Sequence, residues 1–174
     1  MAEILTQGMI NRLDDISVDN STNTTGYFPG TDGDGNLVKL AIESGTWTPT
    51  LYGATTAGTT TYTAQTGNYF RLGSLVFVDA RIIWTNATGT GSARCGGLPF
   101  TIYNGTVNRP GVDISYYNGL TLPAGKTLSG YAQENDTYIN LTNASNTDSS
   151  DFTDLQSEMT TTGELYFSAV YQVA

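Results

Sequence analysis

From Thr46 onward, apolar and polar residues alternate with a period of two, the pattern of strands with one face buried. The longest run is Ser74 to Trp84, whose even positions Val76, Val78, Ala80, Ile82 and Trp84 are all apolar and must face a core. Its odd positions, Leu75, Phe77, Asp79, Arg81 and Ile83, mix apolar with charged groups. That second face is too apolar for plain solvent and too charged for a core, so it predicts a subunit interface. The run Glu164 to Val173 alternates in the same way, with Leu165, Phe167, Ala169, Tyr171 and Val173 in one row. Shorter strands are predicted at 68–72, 98–103, 112–117, 127–132 and 137–142, with Gly, Asn and Pro between them. Asn104-Gly105 and Asn118-Gly119 favour tight hairpins. The predicted fold is mainly β, an antiparallel β-sandwich of jelly-roll type.

The first 18 residues break this pattern. Leu5, Met9, Leu13 and Ile16 recur at helical spacing and mark one face of an amphipathic helix. A helix this short, with Gly8 inside it, is marginal alone in water. It therefore needs a partner surface, another copy of itself or a different protein, and these four residues are the candidate attachment face; the alternative is a helix packed on its own domain. The polar stretch 19–36 reads as linker, Leu37 to Ile42 as a short strand. A boundary near Gly45 divides the chain into an attachment segment and linker (1–45) and a β domain (46–174).

Composition narrows the chemistry. The 174 residues contain 16 acidic and 7 basic side chains, a formal charge of −9, so phosphate backbones and anionic bilayers are repelled. Charged residues make up 13%, about half the usual share. There is no His, which removes His bases, His-dependent triads and most zinc sites. The single cysteine, Cys95, excludes an intrachain disulfide and reads as a small buried hydrophobe. Met1 to Leu5 lack the basic and apolar regions of a signal peptide, and no apolar run reaches a membrane span, so a soluble protein made in a cytoplasm is expected. The seven Asn-x-Ser/Thr triplets are then the chance product of an Asn- and Thr-rich chain.

Asp32, Asp34, Asn36 and Glu43 fall at positions 1, 3, 5 and 12 of a calcium-loop count, but Leu37 stands where that loop needs Gly. No metal or cofactor is expected. No carboxylate pair stands in a recognisable glycosidase context and no Gly-x-Ser-x-Gly is present, so no catalytic residue is expected. The 11 tyrosines exceed what a core of this size needs. Tyr103, Tyr116, Tyr117, Tyr131 and Tyr138 stand in or beside Asn- and Gly-rich turns. Tyrosine rings stack on sugar C–H faces while amides bond sugar hydroxyls, which makes the first four the candidate glycan contacts. The alternative is that such rings pack at a subunit interface or half-cover the sandwich.

Gly45-Thr46-Trp47-Thr48-Pro49, Asn68-Tyr69-Phe70-Arg71-Leu72-Gly73 and Gly97-Leu98-Pro99-Phe100 occur in that order over roughly a third of the chain. This resembles a module found near the ends of many bacteriophage fibre and tail proteins. In physical terms, Trp47 with Pro49 can cap the mouth of the sandwich, Gly67 and Gly73 bracket a strand, and Arg71 can pair with a carboxylate such as Asp79 across a hairpin. The resemblance implies a homotrimer on the virion, with a β knob displayed and an N-terminal segment docked on a capsid or tail protein. Leu75, Phe77, Asp79, Arg81 and Ile83 would then line the trimer interface. The expected role is a short fibre whose knob contacts a host-surface polysaccharide, without enzymatic activity, nucleic-acid binding or membrane insertion. Alternatives are a capsid decoration or head-fibre protein, a free-standing lectin and, less favoured, a depolymerase.

Overall fold

The computed structural model describes residues 25–31, 37–105, 109–145 and 159–173, all of them in strands, turns and loops. The helix expected around Leu5, Met9, Leu13 and Ile16 lies outside the described residues, as does the calcium-like segment Asp32 to Asn36. In chain order the strands are β1 (Thr25–Thr31), β2 (Leu37–Trp47), β3 (Thr50–Gly53), β4 (Thr60–Leu72) and β5 (Leu75–Ala87). They continue with β6 (Ala93–Gly96), β7 (Val112–Leu120), β8 (Thr127–Ala132), β9 (Tyr138–Ala144) and β10 (Met159–Gln172). All pairings are antiparallel, and they make a six-stranded sheet ordered β1-β2-β4-β5-β10-β7 and a four-stranded sheet ordered β3-β6-β9-β8.

The chain alternates between the sheets from β5 to β8, then returns with β9 between β6 and β8 and with β10 between β5 and β7. This interleaving is the winding of a jelly roll. One core fills the space between the sheets. The six-stranded sheet contributes Val76, Val78, Ala80, Ile82 and Trp84 from β5 and Leu165, Phe167, Ala169 and Tyr171 from β10. Leu51, Cys95, Ala132, Ile139 and Leu141 meet them from the other sheet. The two rows expected from period-two alternation are therefore the rows that are buried.

Glycines opposite aromatic rings set how closely strands and rings approach. Trp47 is the direct cross-strand partner of Gly67, and Trp84 of Gly163. In each pair the indole covers the glycine so closely that an added methyl would overlap the ring. A glycine that costs strand propensity elsewhere is here the residue that lets a large ring lie flat across the sheet. Tyr69 over Gly45 repeats the arrangement, 2.8 Å from where a methyl would stand. The Trp47 indole also donates to Asn68 O at 3.2 Å and Asp79 O at 3.1 Å, joining β2, β4 and β5. Trp47 thus belongs to the core rather than to a cap at its mouth.

Other local expectations change. β2 runs unbroken through Gly45, and Thr25–Thr31, inside the stretch read as linker, pairs with it as a strand. Residues 98–103 are not a strand: Pro99 supplies no ladder donor, and Leu98 and Ile102 are buried as loop residues bonded to Thr137 O and Asp136 O. Asn118-Gly119 lies within β7, beside a register shift against β10, and Asn104-Gly105 lies in the loop between β6 and β7. The tight hairpin falls instead at Gly73-Ser74, where Gly73 (φ 59°) supplies the left-handed residue for a two-residue turn between β4 and β5.

Replacing Gly67 with Ala forces Trp47 aside and destabilises the fold by about 1–3 kcal/mol in urea denaturation. Gly111→Ala, where nothing lies within 4 Å of the added methyl, changes stability by less than about 0.5 kcal/mol. Equal effects at both positions contradict the close-approach account.

Candidate binding faces

Because β5 and β10 bury one row each, their other rows form the outer face of the six-stranded sheet. Register places Phe70, Phe77 and Val170 side by side across β4, β5 and β10, with exposures of 42%, 44% and 42%. Phe70 and Phe77 touch as tilted rings, 6.4 Å between centroids. Leu72 and Leu75 form an adjoining apolar row. Beyond them Asp79 accepts from Asn68 Nδ2 at 2.9 Å. Arg81 Nε donates to the Tyr166 hydroxyl at 3.0 Å, and that hydroxyl donates to Glu164 at 3.2 Å. Tyr116 packs edge-on to Tyr166 at 5.5 Å. Of the expected interface residues, Phe77, Asp79 and Arg81 are exposed and Leu75 and Ile83 half-buried, all on this face. The face grades from apolar to polar, and contiguous exposed rings of this kind mark interaction surfaces.

Arg71 does not pair with Asp79. Its partner in the ladder is the inward-facing Val76, so the two side chains stand on opposite sides of the sheet. Arg71 instead donates to Gly73 O at 2.8 Å and lies over Phe100 at 4.8 Å. Phe100 also meets Tyr69 edge-on, and Tyr69 donates to Glu43 at 2.9 Å. Burial first, then the Glu43 carboxylate, pushes the Tyr69 phenol up.

The outer face of the four-stranded sheet is polar and aromatic. One register row crosses all four strands: Tyr52 on β3, Arg94 on β6, Asn140 on β9 and Tyr131 on β8. Arg94 lies 4.3 Å over the ring of Tyr138, which meets Tyr52 edge-on at 6.4 Å. Burial pushes both phenols up; Arg94 opposes the shift and Asp136 adds to it. Among the described residues the Nε of Arg94 is buried without a hydrogen-bond partner, a cost of about 1–3 kcal/mol or more. Asn140 is buried and donates to Gln133 at 3.1 Å. At the far end Arg109 lies 4.9 Å over Tyr131, and Gly111 bridges to the same residue.

The four tyrosines chosen from sequence do not converge. Tyr116 lies on the outer face of the large sheet and Tyr131 on that of the small sheet, while Tyr117 sits opposite Leu165 on an edge strand. Tyr103 is exposed in the loop after Ile102, its N–H donating to Gln172 O at 2.7 Å. Sequence reasoning missed Tyr52 and Arg94, which sit in strands of four residues each. Their signal was the short alternations Leu51-Tyr52-Gly53 and Ala93-Arg94-Cys95. Among the described residues no three or more Cys, Asp or Glu side chains gather as a metal site, and no helix is long and apolar enough to cross a membrane.

No family model matches the chain, and no curated protein does. The fold is similar to that of the Dettilon tailspike protein (gp208), with a TM-score of 0.62 and 20% identity over 74% of this chain. The match covers 23% of the tailspike chain, so it corresponds to a part of that protein.

Cys95 is fully buried, and desolvation pushes its thiol well above the ordinary value of 9.0. Burial likewise pushes the Tyr171 phenol up, against the Phe100 backbone and Arg71. As pH rises past 9.0 the unfolded thiol ionises and the folded one does not. The Cys95 contribution to stability then falls by about 1.4 kcal/mol per pH unit. Urea denaturation of Cys95→Ala shows a shallower alkaline loss than the parent; identical slopes contradict the assignment.

Proposed function

We propose that the chain is a structural protein of a bacteriophage virion: a short trimeric fibre docked on the particle through its N-terminal segment. Its β domain contacts host-surface glycan and acts by binding rather than catalysis. The observation that carries this reading is the jelly-roll sandwich shared with part of a phage tailspike. The order of Gly45-Thr46-Trp47-Thr48-Pro49 and Gly97-Leu98-Pro99-Phe100 along the chain supports it.

Self-association through the outer face of the six-stranded sheet fits the same reading. Phe70, Phe77 and Val170 form an apolar patch, and three copies packed around an axis would remove it from water without a larger core. Asp79 and Arg81 would then meet polar groups of neighbouring copies at the patch margin. Leu5, Met9, Leu13 and Ile16 are the proposed contacts with a capsid or tail protein, and the low charge and high hydroxyl content suit a particle surface.

Two experiments test the division of labour. Phe77→Glu converts a trimer to a monomer in sedimentation velocity with an unchanged circular dichroism spectrum; a retained trimer contradicts the interface. Deleting residues 1–18 leaves a folded trimer that no longer copurifies with particles. If the truncated chain still incorporates at parental levels, attachment lies elsewhere.

A further inference from the structure

We infer that Tyr52, Arg94 and Tyr131 on the outer face of the four-stranded sheet, with Arg109 stacked on Tyr131, bind a carboxylated saccharide. This rests on the glycan-contact reading above and names the ligand class and the face. The alternation that buries Cys95, Ile139 and Leu141 turns Arg94 and Tyr131 outward on the strands either side of β9, whose own outward residue Asn140 is covered. The row therefore runs straight across the sheet. From Arg94 to Tyr131 it spans two inter-strand spacings, about 10 Å, the reach of two linked sugars in an extended chain.

Charge selects the ligand. The chain carries 16 acidic and 7 basic residues, yet two arginines lie at this row, one near each end. Both guanidiniums rest on tyrosine rings, Arg94 on Tyr138 and Arg109 on Tyr131. Stacking fixes the guanidinium plane and directs its donors sideways, the geometry that matches a carboxylate with two parallel hydrogen bonds. The nearby carboxylate of Asp136 is engaged by the Tyr138 hydroxyl, and Tyr52 is within hydrogen-bond reach of Arg94. Between the two arginines Asn140 is buried and its amide is bonded to Gln133, so it spaces the flanking strands and leaves the rings and guanidiniums as the ligand contacts. Neutral glycans would use the rings but offer the guanidiniums no charge. Asp136 sets its own negative charge beside Arg94 and competes with the ligand there, so Arg109 carries most of the selection.

The full chain is tested against immobilised polygalacturonate, alginate and hyaluronate, against the same polymers after reduction of their carboxyl groups to alcohols, and against neutral dextran and mannan. At least one uronate polymer is retained, and its carboxyl-reduced form is bound at least tenfold more weakly. Arg109→Gln, at an exposed position, weakens retention at least tenfold, and so does Arg94→Lys, which keeps the charge and loses the planar fork. Retention unchanged by carboxyl reduction or by Arg109→Gln overturns the inference. Binding confined to the neutral polymers also overturns it but leaves the glycan-contact reading standing. Binding to none of the polymers removes both.

Discussion

Burial of every second side chain of β5 and β10 is the constraint from which the other features follow. These neighbouring strands supply nine of the core residues, Val76 to Trp84 and Leu165 to Tyr171 at alternate positions. Once those rows face the smaller sheet, Phe77, Asp79, Arg81 and Tyr166 have no choice but the outer face. A shift of register by one residue would exchange the two sets and place Asp79 and Arg81 in the core. The indoles of Trp47 and Trp84 hold that register, each seated on a glycine of the neighbouring strand.

The two outer faces have different chemistry. On the large sheet, apolar rows at one end grade into the Arg81–Tyr166–Glu164 chain of hydrogen bonds. On the small sheet the outer side is built of tyrosines and stacked arginines around a buried amide pair. An apolar face gains by excluding water against another protein surface. A face of rings and guanidiniums offers stacking and hydrogen bonds to a hydrated ligand. The proposed division, assembly on the large sheet and recognition on the small one, follows from that contrast.

The long strands were legible because ten-residue alternations leave little ambiguity, and Leu75 to Ile83 were placed on their common face from sequence alone. Residues 98–103 were not, because Leu98 and Ile102 bury their side chains from a loop whose bonds go to Thr137 and Asp136, a pairing no local pattern announces. Asn118-Gly119 carries turn chemistry but serves a register irregularity. The Tyr52–Arg94–Asn140–Tyr131 row was illegible for a different reason. Its members come from four separate segments, and only the strand order of the small sheet places them in line. Tyr103, Tyr116, Tyr117 and Tyr131 share a composition cue but no surface.

Hydroxyl-radical footprinting of the native protein at assembling concentration tests the division of faces most directly. The account predicts that Phe70 and Phe77 are protected well beyond their 42% and 44% exposure in the single chain, while Tyr131 stays reactive. Oxidation of Phe77 at the rate of an isolated subunit, or protection of Tyr131 in its place, would contradict it.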